Sequence, residues 1–171
     1  MAIPRPRIGV SACLLGEEVR YDGGHKRSVT LIDVIGPHVE LVPVCPEVEV
    51  GMGTPREPLQ LVRDDRGIRM VTVTTRIDYT DRMNDWAERR VRELQQSGID
   101  GYVLKSGSPS CGLEVPVLSE RSASKGPGLF AAILMKVLPS LPFVEEKQLE
   151  NPRARAEFIQ RVFGHHSKRA K

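Results

Sequence analysis

Short β-branched apolar runs that break on Gly, Pro or charge alternate along this chain with stretches whose apolar residues recur every three or four positions. Arg7 to Ala12 reads as a buried first strand entering a loop that carries Asp22-Gly23-Gly24. A short helix over Ser28 to Ile35 and a second strand, Val39 to Val44, come next. That strand–helix–strand order predicts parallel pairing through a right-handed crossover. Leu59 to Arg63 and Ile68 to Val73 flank Asp64-Asp65-Arg66-Gly67, a hairpin signal.

The strongest helical period covers Asp81 to Ser97, where Met83, Trp86, Ala87, Val91 and Leu94 share one face. Thr80 or Asp81 is its expected N-cap, Gly98 its stop, and Trp86 a core residue. Gly101 to Leu104 predicts a third parallel strand. It opens into Lys105-Ser106-Gly107-Ser108-Pro109-Ser110-Cys111-Gly112, whose polar backbone must face solvent or a cavity. Leu129 to Leu138 reads as a helix, and Asn151 to Phe163 as a last one with Pro152 in its first turn. The expected fold is α/β: a mainly parallel sheet flanked by helices, with the cysteines on loops at the C-terminal ends of strands.

Composition adds boundaries to this picture. A chain of 171 residues, 40% hydrophobic and 27% charged, fits one soluble globular domain over 1–171. No apolar run reaches the length of a membrane span, and the N-terminus lacks a secretory h-region. The net charge is only +3, and Arg161, Lys168, Arg169 and Lys171 meet no acid after Glu157. This basic tail reads as a solvated terminus; a nucleic-acid contact there is the less favoured reading. His165 and His166 fall in the same tail and read as uninvolved in chemistry.

Three cysteines, an odd number without an export signal, argue against a disulfide framework and for a reducing cytoplasm. Each follows a predicted strand: Ser11-Ala12-Cys13, Cys45-Pro46-Glu47 and Ser108-Pro109-Ser110-Cys111-Gly112. Loops at the carboxyl ends of parallel strands share one edge, so three sequence-distant thiols can gather there. There is no C-x-x-C pair. Spacing therefore leaves three readings open: three small buried hydrophobes, a metal or cluster site, and a zinc module closed by His25. Gly51-Met52-Gly53 lacks the context of a phosphate loop.

Five motifs stand in one order: Ser11 to Gly16 (SACLLG), Val19 to Gly23 (VRYDG), Cys45 to Val48 (CPEV), Thr54 to Glu57 (TPRE) and Leu104 to Gly112 (LKSGSPSCG). Together they resemble the thiouracil desulfidase family over a core of residues 7–140, leaving 141–171 as a helical C-terminal extension with a basic tail. The resemblance implies a [4Fe–4S] cluster held by Cys13, Cys45 and Cys111, with one iron open to the sulfur of a small-molecule thiolated pyrimidine such as 2-thiouracil. The departures are Gly107, where relatives often carry a larger basic residue, and Leu113 to Lys125, which lacks a glycine-rich hairpin. Gly126 to Phe163 is similar to a subgroup whose members carry a further C-terminal domain, absent here.

Conversion of C=S to C=O with release of sulfide needs a thiophile and an activated water. Glu47, two residues after Cys45, is the candidate base, a role to which the resemblance also points; read alone it is equally a turn acid. Ser108 is the second catalytic candidate, because its hydroxyl can bond the ring or relay a proton. Lys105 and Ser110 are candidate substrate-binding residues. Arg56 and Glu57 suggest a structural ion pair beneath the site, and Asp22, His25 and Lys26 an entrance lining. A persulfide carrier using Cys111 is the remaining alternative.

Overall fold

The computed structural model describes residues 4–171. Strand β1, Arg7–Ser11, is buried from Ile8 onward and lies at the centre of a four-stranded parallel sheet. On one side it pairs with β2, Glu40–Val44, and on the other with β5, Gly101–Leu104. Strand β8, Phe143–Glu145, adds to the far edge of β5, so the order is β2-β1-β5-β8. The α/β fold with a parallel sheet flanked by helices is the one the pattern predicts.

Alternation along the strands sends side chains to two layers. Ile8, Val10, Val103 and Val144 face a cluster with Leu31, Ile35, Phe158 and Val162. Those partners come from a π-helical turn over Thr30–Ile35, where an α-helix is expected, and from the last helix, α4, Pro152–Arg169. On the opposite face Tyr102 and Leu104 pack with Ala87, Val91 and Leu94 of α2, Thr80–Gln96, and with Phe130 and Leu134 of α3, Leu129–Val137. Gly9 is required here: a Cβ would stand 2.4 Å from the Tyr102 ring.

A second, mixed sheet departs from the single sheet expected. Strands β3, Leu59–Asp64, and β4, Gly67–Thr72, form the anticipated hairpin. Two further strands, β6 (Val115–Leu118) and β7 (Ser124–Gly126), extend it to the order β4-β3-β6-β7. Met83 of α2 seals this sheet against Leu61, Met70, Val115 and Val117. Trp86 bridges the two cores, its ring centroid 5.5 Å from that of Phe130, which is the packing role expected of it.

Both long helices differ from expectation at one end. Thr80 does not cap α2 with its side chain; its Oγ1 instead accepts the buried N–H of Met70 at 2.8 Å, and Asp78 Oδ1 takes the Thr80 N–H. Gly98, at φ +73°, stops the helix as anticipated. Helix α4 starts as predicted, with Asn151 Oδ1 accepting from the N–H groups of Arg153 and Ala154. It then runs to Arg169 rather than Phe163.

The reason lies across the fold. Asp100, wholly buried just before β5, accepts from His165 (3.3 Å), His166 (2.9 Å), Arg169 (3.0 Å) and the backbone N–H of Arg7 (3.1 Å). The segment read as a solvated tail with uninvolved histidines is thus an anchored helix end. Among the described residues no helix is long and apolar enough to cross a membrane.

Candidate active site

Parallel strands deliver their C-terminal loops to one edge, and the order β2-β1-β5-β8 sets what meets there. Cys45 follows β2, Cys13 follows β1, Cys111 lies in the loop after β5, and Glu146 follows β8. Together with Pro58 and Leu59 at the start of β3, the loops after β2, β1 and β5 surround a cavity of about 250 Å³, and Glu146 stands against Lys105 of its wall. Cys13, Cys45, Cys111, Glu47, Lys105, Ser108 and Ser110 all line it. The structure therefore brings together the three cysteines and the four residues singled out above for catalysis or substrate binding.

Each cysteine is held by a different local device. Cys13 sits in a 3₁₀ turn, Ala12–Leu15, that Gly16 ends at φ +90°, and its carbonyl accepts the N–H of Lys26 at 2.9 Å. Cys45 precedes the short helix α1, Pro46–Glu49. Its N–H donates to Glu49 Oε2 at 3.0 Å, and Arg90 of α2 steadies Glu49 Oε1 at 2.9 Å. In the third loop Ser108 Oγ accepts the N–H groups of Ser110 (3.2 Å) and Cys111 (3.1 Å). That bonding is a turn former's, and it leaves the Ser108 hydroxyl proton free to donate.

Helix α3 rivets the Cys111 loop. Its first N–H groups need partners, and Leu129 donates to Pro109 O while Ala131 donates to Ser110 O, both at 3.1 Å. Gly128 donates to Gly112 O at 2.8 Å. The backbones approach so closely that a Cβ on Gly128 would lie 2.5 Å from the Ser110 carbonyl.

Two ion pairs flank the cavity. Arg56 Nη2 donates to Glu47 Oε2 at 2.6 Å and to Val19 O at 2.8 Å, and Nη1 donates to Gly53 O at 2.9 Å. This corrects the expected Arg56–Glu57 pair: Glu57 instead accepts from Thr74 and Thr75, because the hairpin turns its carboxylate toward that loop. On the other side Lys105 Nζ lies 3.1 Å from Glu146 Oε1. Glu146 also takes the N–H and hydroxyl of Ser106, each at 2.7 Å. Sequence reasoning missed Glu146, whose only local signal was the short apolar pair Phe143-Val144 before it.

The expected entrance lining is also corrected. The loop after Cys13 presents Val19, Arg20 and Tyr21 to the cavity rather than Asp22, His25 and Lys26. Asp22 turns back to cap Gly24 N–H, and His25 Nδ1 accepts from Arg27 N–H at 3.1 Å. His25 thus stands outside the lining, against its use as a fourth zinc ligand. Among the described residues no three His, Cys, Asp or Glu side chains form a group that could hold a single metal ion. The thiols stand around a space instead of converging on one point.

The donor set suits an iron–sulfur cluster. Burial pushes the Cys13 thiol up to about 11, with Lys105 opposing and Cys45 adding to the rise. Burial likewise raises Cys45, and raises Cys111 further, with Glu47 and the other two thiols reinforcing it and the Ser11 hydroxyl opposing it. Two buried thiols and a half-buried one that resist ionisation beside one another need a cationic, thiophilic centre to hold them as thiolates. Ser110 Oγ, also buried at the lining, has no hydrogen-bond partner among the described residues. Cys111 is 3% exposed, too enclosed for a persulfide carrier that must meet a partner's thiol.

The model of the 2-thiouracil desulfurase family matches residues 8–146. The chain belongs to that family. A curated relative, the uncharacterized protein YbbK of Bacillus subtilis, is 30% identical over 134 residues, 74% of this chain and 88% of that one. A solved structure titled [4Fe-4S]-dependent thiouracil desulfidase TudS superposes with a TM-score of 0.72 at 32% identity, covering 91% of this chain and 99% of the other. The family match reaches residue 146 and so takes in β8 and Glu146.

Proposed function

We propose that this member of the 2-thiouracil desulfurase family hydrolyses the thiocarbonyl of a thiolated pyrimidine such as 2-thiouracil, giving the carbonyl and hydrogen sulfide. The observation that carries the reading is the meeting of all three cysteines of the chain with Glu47 in one small cavity. Cys13, Cys45 and Cys111 would hold a [4Fe–4S] cluster with one iron left open. That cluster, when bound, supplies a Lewis acid that draws electron density from the ring carbon through sulfur, without net redox.

The chain's own groups do the rest. Arg56 fixes Glu47 through Oε2, and no other residue among those described bonds Oε1. Glu47 Oε1 is therefore placed to accept a proton from the water that attacks the ring carbon. The carboxyl returns that proton to the sulfur, then takes the proton of the added hydroxyl as the carbonyl forms and passes it to the departing hydrosulfide, so C=S and H₂O become C=O and H₂S. Ser108 and Ser110 offer hydroxyl donors to the ring, and Lys105 a cationic one. Apolar walls from Val44, Pro58 and Leu59 limit bulk water.

The test is anaerobic purification followed by iron, zinc and acid-labile sulfide analysis, then assay of 2-thiouracil. About four irons and four sulfides per chain, with formation of uracil and sulfide, is the expected result. Zinc alone, or a full cluster without turnover of any thiopyrimidine, overturns the reading.

A further inference from the structure

The geometry points to Glu146 as a positioning residue that aims one N–H of Lys105 at an exocyclic carbonyl oxygen of the substrate, making that oxygen a requirement for recognition. This rests on the desulfuration reading above and adds to it a substrate class and a residue outside the cysteine motifs. A lysine ammonium has three donors. Here one meets Ser106 O at 2.6 Å and a second meets Glu146 Oε1 at 3.1 Å. The third has only Ser106 Oγ at 3.4 Å, beyond normal bonding length. One N–H of a largely buried cation at the cavity wall is thus left for an acceptor.

Strand order says where that acceptor lies. Glu47 comes off β2 and Lys105 off β5, with β1 and Cys13 between them. Two strand spacings, about 10 Å, separate the ends of β2 and β5. That span takes one heterocycle with a polar contact on each side. With the thiocarbonyl at the cysteines and its carbon near Glu47, the strongest acceptor left on a thiouracil ring is its carbonyl oxygen. Lys105 alone is a long, flexible donor; Glu146 removes that freedom by fixing both the ammonium and the Ser106 backbone from one carboxylate.

The experiment compares 2-thiouracil with pyrimidine-2-thione, which has the same thiocarbonyl and no exocyclic oxygen, in cluster-loaded wild type, Glu146→Gln and Lys105→Met. Calorimetric binding of the corresponding products, uracil and pyrimidin-2-one, runs in parallel. Wild type is expected to favour 2-thiouracil over pyrimidine-2-thione in kcat/KM, and uracil over pyrimidin-2-one in Kd, roughly 10- to 100-fold in each. Both variants are expected to collapse that ratio toward one. Glu146→Gln keeps an acceptor for Ser106 N–H, so the fold survives, and Lys105→Met tests the same contact away from Glu146. A ratio unchanged in both variants, or no discrimination by wild type, overturns the assignment. Failure of wild type to desulfurate either compound would sink the functional reading instead, and the product-binding ratios would still decide the role of Glu146.

Discussion

Arg56 and Glu47 form a buried ion pair at 2.6 Å in which the arginine also holds the carbonyls of Val19 and Gly53. One guanidinium thus ties together the carboxylate proposed as base and two loops that bound the cavity. Removing it leaves Glu47 without its partner in a largely dry site. Arg56→Ala is expected to cost about 3–5 kcal/mol in urea denaturation and to lower kcat even where cluster content is restored. Glu47→Gln should retain iron and sulfide and lose turnover. An active Glu47→Gln protein would remove the carboxylate from the mechanism.

Serine in place of Cys13, Cys45 or Cys111 is expected to abolish iron and sulfide retention together with visible absorption. Each thiol comes from a different strand end, so no neighbour can substitute. Metal analysis of the three purified variants checks this, and a full cluster in any one of them would contradict the assignment of ligands.

Gly128→Ala places a methyl group against the Ser110 carbonyl. The Cys111 loop must then move, at about 1–3 kcal/mol. The expected signature is partial loss of iron at a modest fall in melting temperature, because Gly128 is the N-cap of α3, at an ordinary φ, and makes no side-chain cap for the substitution to remove. Retention of iron with unchanged stability would show the contact to be soft.

Asp100 gives the pH prediction. Burial raises its carboxyl, but hydrogen bonds from Arg169, Arg7 N–H, His166 and His165 outweigh that and hold it below the ordinary carboxylate range. A depressed folded-state value means that the stabilisation is fully present above the unfolded value, about 3.9, and is lost as pH falls through the folded one. The stability gap between wild type and Asp100→Asn should therefore be wide at neutral pH and close progressively below about pH 4. Urea midpoints across that range measure it. A gap that persists in acid would mean the carboxylate charge is irrelevant to anchoring α4.

Legibility in the sequence tracked how local each signal was. Strands β1, β2 and β5 are apolar runs with clear stops, and the α2 stripe repeats for four turns, so both were readable. Strands β6, β7 and β8 were not. Val-Pro-Val-Leu carries a proline, Ser-Lys-Gly has no apolar period, and Phe-Val-Glu is three residues long. Pairing partners create these strands, and missing β8 meant missing Glu146. The three ligand candidates were legible because each thiol directly follows a strand or its loop. The partner of Glu47 was not, since Arg56 reaches it across a loop while Glu57 lies next to Arg56 in sequence. The end of α4 was invisible for a similar reason: its anchor is Asp100, far away in the chain.

The strand order β2-β1-β5-β8 also sets a timetable. The cavity wall is delivered in chain order by the loops around residues 13, 45 and 105–111, and Glu146, which holds Lys105, follows only after β8. A nascent chain on the ribosome thus exposes two thiols long before the third thiol and the carboxylate that holds Lys105 exist. A cluster held by all three thiols would have to wait until residues 111 and 146 have emerged, and until then the first two thiols would be open to other metals and oxidants.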